Sequence, residues 1–221
     1  MTSLRRTSSE VNCILKICCI LTNMEITHLG KSAFRIKTKT GVVVMDPYGK
    51  STGSAMSKVS ADLVTISSRQ GGSNDEEEKV SATSRRKAPF VIDEPGEYEV
   101  ESISIFGYKS GEKNIVYVMQ VEDLRTAHLG NLTEMPGKTL SDLLDNIDVV
   151  MVPIGGEGIL ELKSVVELVN KIESTYIIPM GDMSKKDKFV EAMGKGVKSV
   201  ESLNLAKATL PADLSEIVLF G

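Results

Sequence analysis

The stretch "MEITHLGKSAFRIKTKTGVVVMDPY", Met24 to Tyr48, holds three short runs rich in β-branched and apolar residues, separated by glycine or polar turns. "MEITHL", "SAFRIKT" and "GVVVMDPY" therefore predict three strands in succession, because branched side chains pack well on a pleated surface. The next run, "ADLVTI" from Ala61 to Ile66, predicts another strand, and it ends at Ser67-Ser68. The loop that follows, "SSRQGGSNDEEE", is small, polar and acidic. Buried strands that end in polar loops commonly deliver binding and catalytic groups. This loop brings neither histidine nor cysteine to such a place.

Strand-like sequence continues in "APFVIDEPGEYEVESISIFGY", where Pro95-Gly96 suits the centre of a type II turn. "NIVYVMQV" and "LRTAHLG" read as a hairpin turned at Glu122-Asp123. After Gly130 helix and strand alternate. "TLSDLLDNI" is a short helix with Thr139 or Ser141 as N-cap, and "DVVMVPIGG" is a strand apolar on both faces. "LKSVVELVNKIES" sets Val165, Val166, Leu168, Val169 and Ile172 at helical spacing, so one face is core, while Glu161, Glu167 and Glu173 with their lysines form a solvated face. "TYIIPMG", "KKDKFVEAMG" and "SEIVLF" close the chain as strand, helix and strand. Antiparallel strands followed by a βαβα half predict an α/β protein of sheets covered by helices.

The 221 residues suit one sizeable domain or two small ones. With no internal repeat and no linker, residues 24–221 read as a single domain, and Ser67 to Lys87 as a surface loop. A 41% hydrophobic and 25% charged composition is that of an ordinary soluble globular protein. A net charge of −4 provides no broad basic field for nucleic acid or anionic membrane. The basic run Arg85-Arg86-Lys87 reads as neutralised by the acidic run Asp75 to Glu78. Cys13, Cys18 and Cys19 all precede Met24, so the main body has no disulfide framework, thiolate zinc site or cysteine nucleophile, which fits a cytoplasmic location. Residues 1–23 stand apart. They read as a mis-assigned start ahead of Met24, a tail, or a weak signal-like segment whose apolar run Lys16 interrupts.

Six segments, taken in order, resemble the metallo-β-lactamase superfamily in its lactonase-like, metal-dependent hydrolase branch: the opening Met24 to Tyr48, "ADLVTIS", "VIDEPGEYEV", "AHLGNL", "DVVMVPIGG" and "YIIPM". The resemblance implies a four-layer αββα sandwich. It also implies one or two divalent metals, held mostly by histidines and a bridging aspartate, which activate water as the nucleophile. Against that motif the sequence departs at the ligand positions. By alignment with His-x-His-x-Asp-His, Ser68 and Gln70 stand for the two spaced histidines, Gly72 for the aspartate and Ser73 for the last histidine. Asn131 replaces the bridging carboxylate, Gly181 the histidine after Ile-Pro-Met, and Lys31 the histidine of an early Leu-Gly-His turn. A further histidine is missing from the short loop "KSGEK". The whole chain has two histidines, His28 and His128, too few for a dinuclear centre of the family type, although a carboxylate-only Mg or Ca site stays open.

His28 reads as a partly buried histidine with a backbone partner. His128 reads as a structural, hydrogen-bonded residue or as a surviving binding group. Asp46 in "MDPY" reads as ordering adjacent loops through backbone N–H groups. "PIGGEG" lacks the lysine of a P-loop, and in the family its glycine pair shapes the loop beside the metal cleft. No serine-histidine-acid set stands out around Ser67 or Ser68. The leading expectation is a fold member without metal, cofactor or hydrolase activity, a pseudoenzyme binding a small molecule or protein partner. The alternatives are a hydrolase with a relocated site at Asp46, His128 or Asp182, and a purely structural homo-oligomer subunit.

Overall fold

The computed structural model describes residues 24–69 and 74–221. The first strands are β1 (Met24–Gly30), β2 (Ala33–Thr38), β3 (Val42–Met45), β4 (Val59–Ala61), β5 (Leu63–Thr65), β6 (Val80–Ala82) and β7 (Phe90–Ile92). There follow β8 (Gly96–Val100), β9 (Ile103–Ser110), β10 (Asn114–Val121), β11 (Leu124–His128), β12 (Val149–Pro153), β13 (Tyr176–Met180), β14 (Gly196–Val200), β15 (Leu203–Leu205) and β16 (Glu216–Phe220). The α-helices are α1 (Lys138–Leu143), α2 (Leu162–Ile172) and α3 (Lys186–Met193). One sheet runs β15-β1-β2-β3-β5-β7, the other β14-β16-β13-β12-β11-β10-β9-β8, and β4 pairs with β6.

Side-chain alternation explains why the sheets stack. On β10, Ile115, Tyr117 and Met119 enter the core between the sheets, while Val116 and Val118 face the helices. On β12, Val149 and Met151 point inward and Val150 and Val152 outward, which is why that strand is apolar on both faces. The inner core joins them to Met24, Ile26, Phe34 and Ile36 of the first sheet. Each such side chain contributes roughly 1.5–3 kcal/mol on full burial. Val165, Leu168, Val169 and Ile172 of α2, with Phe189 of α3, cover the outer face of the second sheet. A two-sheet α/β sandwich therefore holds, with all three α-helices of the described residues on the second sheet. Over the first sheet the outer layer is thin among the described residues: Ala61 of β4, Val80 of β6, Tyr48 and Met56 cover Val42, Val44 and Val64. The parallel crossovers from β3 to β5 and from β5 to β7 run through β4 and β6, which pair with each other.

Local expectations differ from the structure at four places. Pro95-Gly96 turns no hairpin, because β7 and β8 lie in different sheets and Gly96 opens β8 at φ 156°, far from the roughly +80° of a type II turn. Helix α1 is capped at Gly137, with no side-chain cap, and Ser141 lies inside it. The stretch Ser67 to Lys87 is not wholly surface, since Ser67, Ser68, Asn74 and Val80 are buried and β6 lies within it. The ion pairs of the two arginines in the basic run lead elsewhere. Arg85 pairs with Asp62 at 3.0 Å and Arg86 with Glu101 at 3.2 Å, while Arg69 takes Glu77. Asp62 is fully buried, and a buried carboxylate gains more from a guanidinium than a solvated one does. Residues 1–23 and their cysteines lie outside the described residues, among which no helix is long and apolar enough to cross a membrane.

Candidate functional site

Strand ends from both sheets converge on one cleft of about 470 Å³. Lys31 comes from the turn after β1, Asn131 from the loop after β11, Gly155 and Glu157 from the loop after β12, and Gly181 and Asp182 from the end of β13. A crevice beyond the carboxyl ends of strands is the usual ligand position in open α/β sheets.

The turn carrying Lys31 is fastened from below. Lys31 has φ 52°, a left-handed conformation uncommon for a residue with a side chain. Its carbonyl accepts from His28 Nε2–H at 2.9 Å and from the Gly181 N–H at 3.1 Å. The next carbonyl, of Ser32, accepts from His128 Nε2–H at 2.9 Å. Both histidines of the chain thus hold the same turn. His128 also accepts from the Gly130 N–H at Nδ1, 3.2 Å away, so both ring nitrogens are engaged. The His28 ring lies 4.8 Å from Phe34 and 5.8 Å from Phe220, and burial pushes its pKa down while the Lys31 carbonyl resists the shift.

Under the cleft lies a closed polar floor centred on Asp46, which is 1% exposed and sits at φ 48°. Asp46 Oδ1 accepts from the Ser67 N–H at 2.7 Å, and Oδ2 accepts from Ser67 Oγ at 2.6 Å and Asn74 Nδ2 at 2.9 Å. Burial raises the Asp46 carboxyl above its ordinary range; the His128 ring, 3.9 Å away, and the Ser67 and Asn74 hydrogen bonds pull against that rise. Asn114 completes the floor. Its Nδ2 donates to Leu129 O at 3.0 Å, and its Oδ1 accepts from the Asn131 N–H at 2.8 Å. The backbone between must be glycine, because a Cβ on Gly130 would lie 2.6 Å from Ser67 Cβ.

Of the residues singled out in the sequence, Lys31, Asn131 and Gly181 meet at the cleft. Asp46, Ser68 and His128 are buried, and Ser68 Oγ has no hydrogen-bond partner among the described residues. Gln70, Gly72 and Ser73 lie outside the described residues. His28 and Asp46 have the backbone partners expected of them. Sequence reasoning missed Asn74 and Asn114. Asn74 directly follows the degenerate motif and Asn114 directly follows "KSGEK", the loop that lacks its histidine, so proximity was the one available signal.

A catalytic dication needs several imidazole or carboxylate donors with free lone pairs. The residues present do not fit one. His128 has neither nitrogen free, Asp46 is tied to three donors, and Asn131 and Ser68 offer only neutral oxygens. Gly181 has φ 84°, where an L side chain such as histidine is strained. No group of three or more histidine, cysteine, aspartate or glutamate residues suited to a metal ion occurs among the described residues, carboxylate-only sets included.

Comparison with known proteins identifies the fold and the family. The structure is similar to that of a Thermotoga maritima protein named as a candidate Zn-dependent hydrolase of the metallo-β-lactamase superfamily. The TM-score is 0.74 and the identity 26%, over 89% of this chain and 98% of that one. A candidate metal-dependent hydrolase from Parabacteroides distasonis aligns with TM-score 0.63 at 13% identity, over 89% and 92% of the two chains. The Bacillus subtilis metallo-β-lactamase fold protein YhfI aligns with TM-score 0.61 at 7% identity, over 90% and 95%. None of the curated proteins compared matches the sequence. The profile of the family described as "Beta-lactamase superfamily domain" matches residues 25–181, from β1 to the glycine after β13, and so the chain belongs to the metallo-β-lactamase superfamily, with its hydrolase-like fold.

Proposed function

We propose that this chain is a pseudoenzyme of the superfamily's lactonase-like branch, one that has exchanged metal-dependent hydrolysis for binding or assembly. Residues 24–221 act as one domain, in the cytoplasm. The observation that carries this reading is the engagement of the chain's only two histidines. Both donate Nε2–H to adjacent backbone carbonyls, and His128 also accepts at Nδ1, so the imidazoles are fasteners for a turn and not ligands. The single-domain reading is supported by one core cluster that runs from Met24 to Val218. A hydrolase with a relocated site at Asp46, His128 or Asp182 is disfavoured. Two of those three side chains are buried and committed to hydrogen bonds beneath the cleft.

Elemental analysis of the purified protein tests the proposal, beside a variant carrying Ser68→His, Gln70→His, Gly72→Asp, Ser73→His, Asn131→Asp and Gly181→His. The expected result is substoichiometric zinc, manganese and iron in the parent. A stoichiometric transition metal in the parent overturns the reading. Because of the positive φ at Gly181, the variant that retains glycine there is expected to fold more stably, by about 1 kcal/mol.

A further inference from the structure

The cleft carries opposite charges that do not cancel. Lys31 stands on one side, with Glu157 and Asp182 on the same lining, and among the described residues none of the three enters an ion pair. Two of the groups are held in place by their surroundings. The Lys31 turn is tied by His28, His128 and Gly181, and Asp182 accepts from the Ser184 N–H at 2.9 Å, which fixes its carboxylate at the cleft. That Ser184 contact holds the Asp182 carboxyl below the usual carboxylate range, and Lys185 and Lys31 add to it. Asn131 and Thr133 add neutral polar groups, and Ile159 adds an apolar one. A volume of about 470 Å³ lies within the ~300–1,000 Å³ of small-molecule sites.

We propose that this cleft binds a small zwitterion, a molecule bearing a carboxylate and a primary ammonium, with Lys31 taking the carboxylate and Asp182 and Glu157 taking the ammonium. One cation beside two carboxylates disfavours a phosphate dianion, which would face more repulsion than attraction. A zwitterion places each charge against its opposite, and the charge-assisted hydrogen bonds that result are the strong kind. The inference rests on the metal-free reading of the site, because a dication would supply the carboxylate-binding charge in place of Lys31.

The test is titration of the purified full chain, by calorimetry and saturation-transfer NMR, with α-amino acids and with ω-amino acids of increasing length. Each is run beside its decarboxylated amine and its N-acetyl derivative. At least one zwitterion is expected to bind saturably, and deleting either charge to weaken it at least about tenfold. Lys31→Met should remove the penalty for losing the carboxylate. Asp182→Asn, which keeps a side-chain oxygen for the Ser184 N–H, should reduce the penalty for losing the ammonium. The proposal is overturned if no zwitterion binds saturably, if the amine or N-acetyl forms bind as well, or if inorganic phosphate competes more strongly. Metal content measured on the same sample separates the two readings. A metal-loaded parent overturns the pseudoenzyme assignment, whereas a metal-free parent without zwitterion binding overturns only this inference.

Discussion

The floor of the cleft and its rim are both built at strand ends, yet they treat charge in opposite ways. In the floor, Asp46 is buried, and among the described residues it accepts twice from Ser67 and once from Asn74. At the rim, Lys31 is half-buried, while Glu157 and Asp182 are exposed and enter no ion pair among the described residues. The difference follows from solvation. A buried carboxylate needs donors supplied by the protein, whereas water satisfies a charge at the mouth of a cleft at little cost. The floor is held by serine and asparagine dipoles. The rim is under no such requirement, and its charges stay available to a ligand.

The largest effect expected from probing this contrast is in the floor. Asp46→Ala leaves three donors without an acceptor, each costing about 1–3 kcal/mol, and forces alanine into a left-handed conformation. A loss of about 3 kcal/mol or more in denaturant unfolding is expected. Asp46→Asn keeps an acceptor and tolerates φ 48°, so its cost should stay nearer 1 kcal/mol. Equal losses for alanine and asparagine would break the idea that the floor depends on its hydrogen bonds.

A smaller effect belongs to pH. His28 has its folded pKa lowered from 6.5, so below that value the unfolded chain binds the proton more readily and stability falls as pH drops. Asp46 acts in the opposite sense: with its folded pKa raised from 3.8, its ionisation subtracts stability as pH rises above 3.8. Unfolding curves between pH 7 and about 5 should therefore show a His28-dependent decline that His28→Gln flattens. An unchanged slope in that variant would show that the turn does not depend on an uncharged His28.

The smallest effect is expected at the rim, where Lys31→Met should shift stability by no more than about 0.5 kcal/mol, since the turn is held through the Lys31 carbonyl and not its ammonium. A larger loss would mean that the ammonium supports the fold, and the contrast between rim and floor would blur.

Much of this was open to reading in the residues alone. The β-branched runs of Met24 to Tyr48, the doubly apolar "DVVMVP" and the helical spacing of Val165 to Ile172 are local patterns, and each formed the element expected of it. The loss of metal donors is likewise a matter of residue type, decided by which side chains the chain contains. What the sequence left undecided were pairings across long separations. That Pro95-Gly96 passes between sheets, that β15 returns to pair with β1, and that Asn74 and Asn114 close the floor all depend on contacts that no local pattern encodes. The His128 bond to Ser32 spans 96 residues. Composition settles which chemistry a chain can attempt, because side chains carry their donors wherever they go. Which turn two histidines hold, and which charges remain for a ligand, is decided only when packing brings distant strand ends together.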